Sequence, residues 1–197
     1  MTTKGLLIVF EGLDQSGKQT QAERLRAAIQ ARGGTAVLLD FPSYETRLGK
    51  EIAAGLQGLR DYAPDAMQLL YVANRYEKRP QIEQLLAEGV VVICDRYLAS
   101  SIAYGEAQGL DGAWLRDVQK YLPAPDLTIL LDIAPETAAG RKTANRDKYE
   151  RDLALLSRVR DSYRRQAESD GWLRLDGERA KDAVAGDVSA AVRRLLA

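Results

Sequence analysis

The 197-residue sequence contains no histidine, and that absence removes several chemistries at once. Histidine-based nucleophile triads, His-ligated zinc and an imidazole acid or base are all excluded. The lone cysteine, Cys94, can form neither an intrachain disulfide nor a thiolate metal cluster, which fits a reducing, cytoplasmic compartment. Net charge is missing too. Lysine plus arginine number 28 and aspartate plus glutamate number 28, so neither a nucleic acid nor an anionic membrane surface is expected as a partner. No apolar run approaches the roughly 20 residues of a spanning helix. The N-terminal region, with Lys4 followed by a short apolar stretch before Glu11, lacks the pattern of a secretory signal. Chemistry is left to carboxylates, cations, hydroxyls and the backbone.

A 46% hydrophobic content suffices for a buried core, and the length is that of one ordinary domain, taken here as residues 1–197. Short apolar runs recur at wide spacing: Leu6–Phe10, Ala36–Leu39, Val90–Cys94, Leu127–Leu131 and, more weakly, Trp172–Leu175. Runs this short, aliphatic and without alternation read as strands covered on both faces. Helical spacing fills the intervals at Thr20–Ala31, Pro64–Ala87 (with a bend near Pro80), Arg151–Glu168 and Asp182–Leu196. The alternation predicts an α/β fold of about five parallel strands with helices on both faces.

The first strand runs into Gly12-Leu13-Asp14-Gln15-Ser16-Gly17-Lys18-Gln19-Thr20, which matches the G-x-x-x-x-G-K phosphate loop. Its glycines let successive N–H groups curl around an anion, the next helix adds its positive end, and Lys18 supplies a mobile charge. The residue after that lysine, ordinarily a magnesium-binding Ser or Thr, is Gln19 here. Thr20 follows about 100° further round the helix, so the metal place falls to Thr20, to a glutamine oxygen or to water. The third strand ends in Asp95-Arg96-Tyr97. An Asp at that edge can hold hydrated magnesium and an Arg can clamp a phosphate; alone, the pair could equally end a strand at the surface.

The stretch Asp95-Arg96-Tyr97-Leu98-Ala99-Ser100-Ser101-Ile102-Ala103-Tyr104 resembles the signature of thymidylate kinases. Glu11–Asp14 with Gly17-Lys18, Phe41-Pro42 with Leu48-Gly49-Lys50, and Leu70–Arg75 resemble three further motifs of that family in the same order, so the similarity covers essentially the whole chain. The resemblance implies a three-layer P-loop kinase with a mobile lid at about residues 139–150, phosphorylating dTMP to dTDP with ATP and Mg²⁺ in dTTP synthesis, commonly as a homodimer. It implies that Tyr71 stacks on thymine and Arg75 bonds its O4, where residue type alone would allow Tyr71 to be packing and Arg75 to pair with an acid. Asp14 is implied to meet the deoxyribose 3′-hydroxyl, Tyr104 to crowd C2′ and Ser101 to touch the base edge, with Phe41, Pro42 and Tyr44 lining the acceptor side. Ser43 stands where some relatives carry Arg, leaving Arg96 as the main acceptor-side cation. Gln15 occupies the place of a loop arginine, so the catalytic arginine is expected in the lid, Arg141 first and Arg146 second. Two rival readings stand beside this one: a deoxynucleoside kinase or other monophosphate kinase of the same fold, and a nucleotide-binding module without transferase activity, which Gln19 keeps open.

Overall fold

The computed structural model describes residues 4–141, 149 and 152–196. Five parallel strands, β1 (Leu7–Glu11), β2 (Ala36–Asp40), β3 (Val91–Asp95), β4 (Leu127–Asp132) and β5 (Leu173–Asp176), form one sheet in the order β2-β3-β1-β4-β5. Register places Leu7 beside Val92 and Ile8 beside both Ile93 and Leu127. The helices are α1 (Lys18–Gln30), α2 (Arg47–Leu56), α3 (Pro64–Ala87), α4 (Leu98–Ala107), α5 (Gly112–Asp117), α6 (Pro135–Arg141), α7 (Leu153–Asp170) and α8 (Lys181–Leu196). All five strand expectations hold, each within a residue or so at its ends. The first helix begins at Lys18 rather than Thr20, because the phosphate loop delivers the chain directly into helical geometry at Gly17. Pro80 lies within α3, a single helix with the expected bounds.

The continuous apolar runs have a simple cause. Successive side chains of a strand point to opposite faces, and here both faces are covered. Ile8 and Phe10 pack with Ile93, Leu131 and Leu175 under Ala22, Leu25 and Ile29 of α1 and Val184, Val188 and Val192 of α8. Leu7, Val9, Val92 and Cys94 face the other way, onto Ile82 and Leu86 of α3. Leu130 of β4 packs on that side with Ala103 of α4 and Val159 and Tyr163 of α7. Asp132, at the end of β4, accepts from Nε of Arg160 at 2.6 Å and Nε of Arg164 at 2.9 Å, tying α7 to the same sheet edge.

The chain leaves β1 toward β2 and β4 toward β5, in opposite directions across the sheet. Such a reversal opens a crevice at the carboxyl ends of the strands. The segment after β2 is drawn toward it by Asn74 of α3, which is fully buried. Its Oδ1 accepts from the Ser43 N–H at 2.7 Å, and its Nδ2 donates to the Thr46 hydroxyl at 2.8 Å. Thr46 in turn caps α2, accepting from the Gly49 N–H at 2.9 Å. Asn74 is thus a fastener between α3 and the Phe41–Thr46 turn. Asn74→Ala leaves these groups unpaired and is expected to cost about 1–3 kcal/mol, read as a lowered midpoint in urea unfolding.

Candidate active site

Two cavities meet at the carboxyl edge of the sheet. The larger, about 640 Å³, is lined by Asp14–Gln21, Asp95, Leu131, Arg141, Gly177–Lys181 and Val184. At Gly12 the backbone has φ +138°, and a Cβ there would lie 2.5 Å from the Leu131 carbonyl oxygen, so only glycine lets the loop pass β4. Gly17 turns the chain at φ +96° into α1, whose first N–H groups open toward the cavity. Lys18 is buried, and its ammonium donates to the Leu13 carbonyl at 2.8 Å. Burial and then Arg96 push its pKa down, while Asp95, Asp14 and Glu11 pull the other way. Gln19 is exposed and donates to Glu23 at 3.3 Å, along the helix surface. Ser16 Oγ and Asp95 Oδ1 are buried polar atoms that find no hydrogen-bond partner among the described residues, and both residues line this cavity with Thr20. Arg141 ends α6 and crosses the cavity mouth, donating to the Gln15 carbonyl at 2.9 Å and the Gly177 carbonyl at 3.1 Å.

The second cavity is a narrower cleft of about 100 Å³. Asp14, Phe41, Pro42, Tyr44, Leu56, Gln68, Tyr71, Arg75, Arg96, Ser100, Ser101, Tyr104 and Tyr149 line it. Every acceptor-side residue expected from sequence is therefore gathered here. Arg75 is buried and donates to Ser101 Oγ at 2.7 Å and Gln119 Oε1 at 3.2 Å. Asp14 borders both cavities, whereas the adjacent Asp95 and Arg96 part company, Asp95 to the larger cavity and Arg96 to the cleft.

That parting requires Arg96 to adopt φ +65°, a left-handed conformation that a non-glycine residue takes only when its surroundings enforce it. The enforcement is visible. Arg96 Nη2 donates to Asp14 at 2.7 Å, and Nη1 donates to Ser100 Oγ and the Tyr163 hydroxyl, each at 3.1 Å. The guanidinium also lies 5.4 Å from the Tyr104 ring centre. Behind it stands Glu11, fully buried, whose carboxylate accepts from the Tyr97 N–H at 2.8 Å, Ser100 Oγ at 2.7 Å and the Tyr163 hydroxyl at 3.1 Å. Burial would by itself raise the Asp14 pKa, but Arg96 and then Lys18 outweigh it and hold the carboxyl well below the usual range. Burial likewise works against the Arg96 cation, and Asp14 reverses the sign, leaving its pKa well above normal.

Sequence reading missed Glu11 as a support, along with Tyr163, Tyr149, Leu56 and Gln68 as parts of the site. Arg146 lies outside the described residues, as does most of the expected lid; Ala139–Arg141 belong to α6.

A phosphate loop, an Asp-Arg pair at the neighbouring strand end and a second cleft separated from the first by the arginine define a P-loop nucleotide kinase. The family model described as thymidylate kinase matches residues 10–188. The chain is 38% identical over 181 residues to thymidylate kinase of Arabidopsis thaliana, covering 92% of this chain and 68% of that protein. It is 33% identical to thymidylate kinase of Homo sapiens, covering 94% and 88% respectively. The solved structure of thymidylate kinase from Candida albicans superposes with a TM-score of 0.86 at 30% identity, covering 97% of this chain and 92% of that one. The chain belongs to the thymidylate kinase family.

The depressed Asp14 pKa carries a sign. A carboxyl with a lowered native pKa contributes stability above its unfolded value, about 3.9, and loses it as pH falls through the native value. Asp14→Asn mimics the protonated state. The stability gap between wild type and this variant, measured by urea unfolding, is expected to be constant above about pH 5 and to close progressively below pH 4.

Proposed function

We propose that this enzyme transfers the γ-phosphoryl group of ATP to the phosphate of dTMP, giving dTDP, with ATP in the larger cavity and dTMP in the cleft. One observation carries the reading: the partly buried Arg96 cation, forced into an unfavourable backbone conformation at the boundary between a phosphate loop and a cleft lined by Tyr71, Arg75 and Ser101. Loop N–H groups and Lys18 receive the β- and γ-phosphates, Lys18 exchanging the Leu13 carbonyl for phosphate oxygens. Arg96 clamps the acceptor phosphate and lowers its repulsion toward the donor. Asp14 meets the sugar 3′-hydroxyl, the Tyr104 ring excludes a 2′-hydroxyl, Tyr71 stacks on the base and Arg75 donates to its O4. Phe41, Pro42 and Tyr44 close the acceptor side. Arg141 releases the two carbonyls it bridges and turns to the transferred group as the lid closes, with Arg146 the second candidate.

The donor set fits Mg²⁺, which is commonly held by one or two carboxylates, water and substrate phosphates. Asp95, with its unpartnered oxygen, would hold the ion through water, and Thr20 lines the same cavity. When bound, the ion neutralises charge on the β- and γ-phosphates.

In-line transfer needs no base, because the acceptor phosphate is already ionised. A nucleoside kinase does need one. Among the described residues lining the cleft, Asp14 is the sole carboxylate, and Arg96 keeps its pKa far too low for efficient proton abstraction. This favours dTMP over thymidine as acceptor. The chain works as one catalytic unit and, by analogy with the family, as a homodimer. The buried thiol of Cys94 and the absence of a second cysteine support a cytoplasmic setting. Among the described residues no helix is long and apolar enough to cross a membrane.

A coupled ADP-release assay tests the reading directly. Wild type is expected to turn over dTMP and not thymidine. Arg96→Ala is expected to lose about a thousandfold or more in turnover, and Lys18→Ala and Arg141→Ala to lose at least about a hundredfold, with circular dichroism unchanged. Near-normal dTMP turnover by Arg96→Ala would overturn the assignment.

A further inference from the structure

The acceptor cleft contains a polar side chain, Gln68, that the scheme above leaves without a task. Gln68 sits on α3 one turn before Tyr71 and two turns before Arg75, and it is 1% exposed. It lines the cleft, yet neither its Nε2 nor its Oε1 finds a hydrogen-bond partner among the described residues. An interior normally satisfies both atoms of a carboxamide, and a methionine would fill the same volume without polar groups to desolvate. Turned toward the cleft it borders, such an amide is free to pair with a ligand.

Its position narrows the choice of ligand atom. Arg75 of α3 touches Ser101 of α4, and Gln68 lies against Gly105, one turn further along α4, where a Cβ would be 3.5 Å from Gln68 Cγ. The two helices therefore present Arg75 with Ser101 at one level and Gln68 at the next. Arg75 has only donors, suited to a carbonyl oxygen. The Ser101 hydroxyl already accepts from Arg75 and keeps its own hydrogen as a further donor. Asp14, the cleft's carboxylate, is engaged by Arg96. A thymine edge runs carbonyl, N3–H, carbonyl, so it also needs an acceptor for its N3–H. A carboxamide offers an acceptor and a donor side by side, the complement of N3–H and an adjacent carbonyl. Where thymine offers N3–H and O2, cytosine presents two acceptors, and one arm of the glutamine would be left unpaired.

We propose that Gln68 reads the imide edge of the base, Oε1 accepting from N3–H and Nε2 donating to the neighbouring carbonyl, and thereby favours dTMP over dCMP. This rests on the assignment of the cleft to dTMP, and the two are separable: failure of the wild-type enzyme to turn over dTMP defeats that assignment and this inference together, whereas an active wild type with an unaltered variant preference defeats the inference alone. The variant is Gln68→Met, which keeps length and volume and removes both hydrogen bonds. Steady-state kinetics with dTMP and ATP, and the inhibition constant of dCMP against dTMP, provide the readout. The KM for dTMP is expected to rise about five- to tenfold, with kcat, the KM for ATP and the dCMP inhibition constant each within about twofold of wild type. Equal changes for dTMP and dCMP, or no change for either, would assign Gln68 to packing and overturn the proposal. Should the variant not fold, the carboxamide resonances of Gln68 in ¹⁵N-labelled wild type serve instead: they are expected to shift with dTMP and stay still with ADP, and resonances indifferent to dTMP would equally overturn it.

Discussion

Two phosphorylated molecules must be brought end to end, and the repulsion between them has to be absorbed by a cation held in place before either arrives. Under the proposed assignment, that cation is Arg96. A guanidinium taken out of water is costly unless it is paired and hydrogen-bonded. Asp14 supplies the charge at 2.7 Å, while Ser100 and Tyr163 supply acceptors whose own orientation is set by Glu11. The arginine is thus positioned by a chain of groups drawn from β1, the phosphate loop, α4 and α7. A strained backbone at φ +65° is the visible cost of aiming it into the cleft rather than along the strand.

The same economy explains the placement of the two cavities. Because strand order reverses beside β1, the phosphate loop and the end of β3 lie next to each other with open space above them. Asp95 and Arg96, adjacent in sequence, serve different cavities. Asp14 of the phosphate loop and Lys18 at the start of α1, four residues apart, are biased electrostatically by the same arginine.

Much of this was readable from local pattern. Short aliphatic runs announced the strands because the central ones, β1, β3 and β4, are covered on both faces, and G-x-x-x-x-G-K announced the phosphate cradle because its chemistry is made by consecutive backbone groups. Tyr71 and Arg75 could be placed on one helix face from their spacing. Less legible were groups whose task depends on a partner far along the chain. Glu11 is separated from Tyr163 by 152 positions and from Ser100 by 89, and nothing in its neighbourhood marks it as a support. Asn74 shares the face of Tyr71 and Arg75, yet it belongs to the Ser43–Thr46 turn. Helices α2, α5 and α6, at 10, 6 and 7 residues, are too short for periodicity to declare them.

By itself the sequence determined the sheet, the phosphate loop and the set of residues available for recognition, since hydrophobic patterning and contiguous backbone geometry are local properties. Only the tertiary structure decided which of those residues share a cleft, that Arg96 turns away from Asp95, and that Gln68 is buried with its amide unanswered. Convergence of side chains from separate elements is set by packing across the sheet, and no stretch of neighbouring residues encodes it alone.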